Sequence, residues 1–148
     1  MKNWLIFGMC CVILAACGGA ESDPEAAVRA WVTDAEAAAE EKDRRGLLAM
    51  ISERYADSRG NNHESIGDML RLYFFRQQSV ALISGIDEIS LMGDSAALVQ
   101  LTVGMAGTNN SAFGVSADAY QFEFELEVID DDWMLIGARW GELGENMR

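Results

Sequence analysis

The residues able to move protons or hold ions are few. Among 148 residues there is one histidine, His63, with three cysteines and three tyrosines, Tyr55, Tyr73 and Tyr120. A single histidine and no serine in a strand-turn-helix context exclude a Ser/His/Asp nucleophile set. The glycines form no phosphate-cradling loop, so phosphoryl-transfer and hydride-transfer motifs are missing. Cys10 and Cys11 are adjacent and only Cys17 stands apart, which does not give the ligand count and spacing of a zinc site. The reading is no metal and no cofactor. With 24 Asp plus Glu against 11 Lys plus Arg and a formal charge of -13, no basic patch is available for nucleic acid. Carboxylate, phenol and thiol chemistry remain.

The thiol with a chemical context is Cys17. Lys2 is followed by an uncharged stretch from Trp4 to Ala16 that reads as a secretory signal, too short to span a bilayer core of ~30 Å. Leu14-Ala15-Ala16-Cys17, followed by Gly18, resembles the lipobox of bacterial lipoproteins. That resemblance implies a diacylated Cys17 thiol, cleavage just before it and acylation of the new amino terminus. Several acyl chains hold a protein to a membrane where one would not. Gly18 in place of Asp implies the inner leaflet of the outer membrane, with the protein facing the periplasm. Cys10 and Cys11 leave with the signal, so no intrachain disulfide is expected. The chain divides into signal peptide (1–16), lipidated Cys and tether (17–23) and one domain (24–148).

Within that domain Asp23-Pro24 reads as the cap and first position of a helix running to about Asp43, with Val28, Trp31, Val32, Ala35 and Ala38 on one stripe. A second helix is predicted over Arg44 to Tyr55, and Asp57 to Asn62 reads as a turn. Asn61 with Glu64 has the spacing of a capping box for a third helix reaching Gln78, whose Ile66, Met69, Leu70, Tyr73 and Phe74 are the clearest periodic signal in the chain. From Val80 the period becomes two. Strands are predicted over 80–91, 96–103, 120–129 and 133–140, with turns at Gly93-Asp94 and Asp130-Asp131-Asp132 and a long connection from Gly104 to Asp118. The fold class is therefore α+β, three N-terminal helices packed on a curved four-stranded antiparallel sheet.

This order, with Trp133-x-Leu135-x-x-Ala138-x-Trp140 at its close, resembles the nuclear transport factor 2-like superfamily, which includes ketosteroid isomerases, scytalone dehydratases and polyketide cyclases. Tyr55-x-Asp57-x-x-Gly60 also resembles a stretch of envelope members of the superfamily. The resemblance implies a cystatin-like cone whose bent sheet wraps a pocket closed by the helices, and a short strand between the second and third helices for which only Ile51 to Gly60 is available. It implies a pocket lined by Trp31, Tyr55, Tyr73, Phe74, Tyr120 and Trp133. Enzymes of the superfamily place a base beside an acid or phenol in a dry pocket, and Tyr55, Asp57, His63, Tyr73, Asp118 and Tyr120 are the residues able to do so. Asp57 and His63 flank a turn, where an Asp that bonds its own backbone and a His that faces water are the plainer assignments. The expected function is a small-ligand-binding or assembly module with a hydrophobic ligand. The alternative is an isomerase, dehydratase or cyclase that uses Tyr55, Asp57 or His63. A purely structural protein would fill the pocket with Trp31, Tyr73 and Phe74.

On the third strand Gln121, Glu123, Glu125 and Glu127 alternate with Tyr120, Phe122, Phe124, Leu126 and Val128, so the apolar set should face the helices and the acidic set water. Between Arg76 and Arg139 lies no Lys or Arg. On strict alternation the last strand is apolar on both faces, with Trp133 and Leu135 on one side and Met134, Ile136, Ala138 and Trp140 on the other. Such a strand calls for cover on both sides, and a homodimer through the sheet would give it.

Overall fold

The computed structural model describes residues 23–108 and 115–146. Cys17, the signal and most of the tether lie outside the described residues. The elements run α1 (Pro24–Glu40), α2 (Arg44–Ala49), α3 (His63–Arg76), β1 (Ser79–Leu91), β2 (Ala96–Thr108), β3 (Val115–Ile129) and β4 (Asp132–Glu142). The strands form one antiparallel sheet in the order β1-β2-β3-β4. No helix among the described residues is long and apolar enough to cross a membrane.

Helix α1 starts where its cap requires. The Asp23 carboxylate accepts the Glu25 N–H at 3.0 Å and Pro24 occupies the first turn. The helix stops at Glu40 and not at Asp43, because Lys42 turns left-handed (φ 55°) and Asp43 caps α2 through the Gly46 N–H. Its Val28, Trp31 and Val32 are buried against the sheet, and Trp31 meets Phe124 edge to face at 5.9 Å.

Helix α2 is shorter than the sequence suggests. Met50 accepts the Leu135 N–H, Ser52 donates to the Leu135 carbonyl and Ala56 to that of Ile136. Strand pairing with β4 therefore competes with the helix from Met50 onward, and Ile51 forms a parallel bridge to Leu135. This segment covers the free edge of β4. It also supplies the short extended piece expected between the second and third helices, closed by an Ala56–Asn62 bridge.

The cap of α3 is displaced by one residue from the expected Asn61–Glu64 pair. Asn62 accepts the Ser65 N–H at 2.9 Å and donates its own N–H to the Ser65 hydroxyl at 2.7 Å, a reciprocal box with serine in the third position. Asn61 is engaged by Asp57 instead. Helix α3 packs on α2 and stands off from the sheet. Gly67 permits the close approach to α2, since a Cβ there would meet Leu48 and Arg44, whose Nε donates to the Gly67 carbonyl at 2.7 Å.

The expected connection from Gly104 to Asp118 is largely strand. Gly104, Ala106 and Gly107 pair with Ala119, Ala117 and Ser116, and the ladder runs to Thr108 opposite Val115. Register shifts between Ile86 and Glu88 and between Glu125 and Leu126 mark bulges, where strands bend and twist. The second bulge corrects the strict alternation read for β4. Leu135 pairs with Leu126, yet Ala138 pairs with Phe124 and Trp140 with Phe122, so Trp133, Leu135, Ala138 and Trp140 all pack on the same core. The premise of an apolar strand needing cover on both faces does not hold. The acidic face of β3 also departs from expectation at one position. Glu123 is only 6% exposed, ion-paired with Arg139 and within reach of the Gln100 amide.

Candidate functional site

Because α3 stands off from the sheet, the space between them is not filled by side chains. A cavity of about 380 Å³ lies there. Its sheet wall comprises Phe122 and Phe124 of β3, Leu135, Ala138 and Trp140 of β4, with Val80, Leu82 and Met105 from β1 and β2. Trp31, Ala35 and Ala39 of α1 form one side. Ile66, Met69, Leu70, Tyr73 and Phe74 of α3 form the roof, and Tyr55 closes the end near β4. The third helix's periodic stripe is therefore cavity wall. Trp31, Tyr73 and Phe74 line the volume without filling it, which corrects the reading of a closed structural core.

The other residues of the expected pocket stand outside its wall. Tyr120 precedes Phe122 on the same face of β3 and meets its ring at 6.2 Å, and Trp133 packs against the core farther along β4. Trp31 carries a buried indole Nε1 with no hydrogen-bond acceptor among the described residues. A buried donor of this kind is uncommon in a finished core.

Tyr55, Asp57 and Asn61 come together at the turn the sequence foresaw. The Tyr55 hydroxyl donates to Asp57 Oδ2 at 3.1 Å. The Arg59 and Asn61 N–H groups each donate to Oδ1 at 2.9 Å, and the Asn61 amide donates to Oδ2 at 2.9 Å. Gly60 completes the turn at φ +83°, its N–H bonded to the Asp57 carbonyl. Burial works to raise the Asp57 pKa, but the bonds from Asn61, Arg59 and Tyr55 outweigh it and hold the carboxyl below its usual range. Burial pushes the Tyr55 hydroxyl up, with further contributions from the Asp57 charge and the bond to it. Tyr55 stays neutral and Asp57 charged. Neither has the pKa of a proton-transfer group at neutral pH.

His63 is not beside them. Its Nε2 lies 3.2 Å from the Leu48 carbonyl, which ties the start of α3 to α2. Arg59, which no motif or spacing singled out, places its guanidinium 4.5 Å from the Trp140 ring centroid and donates to the Trp140 carbonyl at 2.8 Å. The turn is thereby fastened to the strand that carries the cavity wall. Among the described residues no group of three His, Cys, Asp or Glu could hold a metal ion.

No protein-family model matches the sequence, and no curated protein matches it. Solved structures do share its fold. A ketosteroid isomerase-like protein from Erwinia carotovora atroseptica superposes with a TM-score of 0.68 at 15% identity, covering 84% of this chain and 99% of that one. A nuclear transport factor 2-like protein of unknown function from Shewanella oneidensis gives 0.63 at 16% identity, covering 78% and 97%. A domain of unknown function with a cystatin-like fold from Nostoc punctiforme gives 0.62 at 16% identity, covering 78% and 74%. At such identities the likeness shows the fold alone. The chain has the cystatin-like, nuclear transport factor 2-like α+β fold.

Proposed function

We propose that this chain is a lipid-anchored protein of the bacterial envelope whose cone binds a small apolar ligand. The observation that carries the reading is the cavity of about 380 Å³, walled almost wholly by aliphatic and aromatic side chains. Its size falls in the usual range of small-molecule sites. An empty apolar cavity forfeits contacts that a packed core would make, so an occupant gains what the protein alone leaves unmade.

The alternative, an isomerase, dehydratase or cyclase, needs a base and a donor converging on one substrate. In the hydrogen-bonded pair of Tyr55 and Asp57 the hydroxyl is already donated to the carboxylate, which itself accepts three further bonds. Both groups serve the turn. The binding reading is therefore preferred. Decanol titrated into the purified domain by calorimetry tests it: saturable binding is expected, and Ala35→Phe, which puts a ring into the cavity, should abolish it with the fold intact. Absence of binding, or binding indifferent to Ala35→Phe, would overturn the reading.

The anchor rests on the lipobox-like Leu14-Ala15-Ala16-Cys17. A tether as short as residues 18–23 keeps the domain near the membrane surface, while its net negative charge disfavours lying on anionic head groups. Cys17→Ser should accumulate as uncleaved precursor. Normal processing to a freely soluble product would refute the anchor.

A further inference from the structure

Where the few polar atoms of the cavity wall stand narrows the class of ligand. The lining runs from Trp31 to Ala39 on α1 and from Ile66 to Phe74 on α3, end residues eight positions apart on each helix, or about 12 Å at the rise of a helix. Its volume of about 380 Å³ is about two and a half times the ~150 Å³ that holds one benzene ring. A volume of that size spread over that length is narrow.

Along the length the wall offers an occupant nothing to bond. Leu70 of α3 and Met105, Phe122 and Phe124 of β2 and β3 carry no hydrogen-bond donor and no strong acceptor. Their backbone groups are committed to the helix or, on these two inner strands, to neighbours on both sides. The Trp31 indole nitrogen is closed off by protein. The remaining polar atoms stand at the ends. The Tyr55 hydroxyl, near β4, is spent on Asp57, and Trp140 reaches the surface, where the exposed Arg59 lies against its ring. The Tyr73 hydroxyl has its pKa raised by burial, then by Asp118 and Tyr120, two residues outside the wall, so it stands at the rim.

A ligand with a carbonyl or hydroxyl in the middle of its body therefore loses either way. Seated fully, it strands that atom against hydrocarbon without the bonds that water gave it. Seated with that atom at the rim, it leaves half of its carbons in water. A polar group at one end meets neither penalty.

We infer that the occupant is an elongated hydrocarbon, an alkyl or acyl chain, whose polar group stands at one end and stays at the rim, and that molecules oxygenated along their length are rejected. This rests on the cavity being a ligand site. The isomers 2-undecanone and 6-undecanone test it, since they contain the same atoms and differ in where the carbonyl stands. They are titrated, alongside decanol, into the purified protein, with tryptophan fluorescence as the readout because Trp31 and Trp140 belong to the wall. The 2-isomer should bind about tenfold more tightly than the 6-isomer. Ala35→Phe from the α1 side and Leu70→Trp from the roof should each abolish binding of both. If decanol binds and the two isomers bind equally, or the 6-isomer binds better, this inference alone falls. If decanol also fails to bind, or if all three ligands bind the two filled variants as they bind the wild type, the ligand-binding reading falls with it.

Discussion

Helices α1 and α3 carry similar apolar stripes and use them differently. In α1 the start of the stripe meets protein: Val28 is wholly buried, Val32 is 5% exposed and Trp31 meets Phe124 edge to face, while only Trp31, Ala35 and Ala39 border the cavity. In α3 only Gly67 is buried, the stripe faces the cavity, and Phe75 on the outer side is 88% exposed. Periodicity records which face turns from water. It does not record whether protein fills the space on the other side. That second fact depends on how far the helix stands from the sheet, which its close approach to α2 at Gly67 helps to set.

The largest effect that separates the two regions is expected on stability. Leu126→Ala, in the cluster beneath α1, should cost about 2 to 5 kcal/mol, since the side chain is 1% exposed and its loss leaves a new void. Phe74→Ala on α3 should cost about 1 kcal/mol, because its ring already borders empty volume and has fewer contacts to lose. Urea denaturation of both variants measures the difference. Equal costs would erase the distinction between a packed and an open side.

Much of the fold was legible in the residues for physical reasons. The shift from a period near four to a period of two at Val80 follows directly from helix and strand geometry. Gly93 and Asp130-Asp131 do adopt the positive φ that tight hairpins need. The departures have one cause in common, pairing with a distant partner. Met50 to Ala56 leave the helix because β4 offers them backbone bonds. Gly104 and its small neighbours join strands because β1 and β3 offer the same. The bulge at Glu125 that brings Ala138 and Trp140 to the core side leaves no mark in the spacing. The site was half legible: the superfamily resemblance, not type or spacing, implied Trp31, Tyr55, Tyr73 and Phe74 as pocket residues, and these four border the cavity while Tyr120 and Trp133 do not. That Arg59 fastens the turn to Trp140 depends on a contact between residues 81 positions apart in the chain.

A smaller effect distinguishes the Asp57 turn from an exposed carboxylate of the sheet such as Asp118. Asp57 is saturated by bonds from Tyr55, Arg59 and Asn61, so Asp57→Asn should lower stability by about 1 kcal/mol, whereas Asp118→Asn should leave it unchanged. The Asp57 carboxyl has a lowered pKa in the folded protein. Its contribution is then present above the ordinary carboxylate range and is lost as pH falls through the lowered value. The stability gap between wild type and Asp57→Asn should accordingly shrink below about pH 4. A gap that persists undiminished at lower pH would show that the charged form is not what the turn uses. Decanol binding by the folded variant should survive, since Asp57 is not in the wall.

The smallest effect is expected at His63, the residue whose type alone made it a candidate for proton transfer. It sits in the first turn of α3, with Nε2 near the Leu48 carbonyl and no place in the cavity wall. Gln can still reach a carbonyl with its amide, so His63→Gln should change stability by no more than about 0.5 kcal/mol and leave decanol affinity as it was. The informative measurement is a rate. Should a substrate be found whose turnover collapses in His63→Gln while melting is unmoved, the imidazole must reach the cavity in some state of the protein. The contrast between a binding cavity and a structural turn would then give way to an active site that spans both.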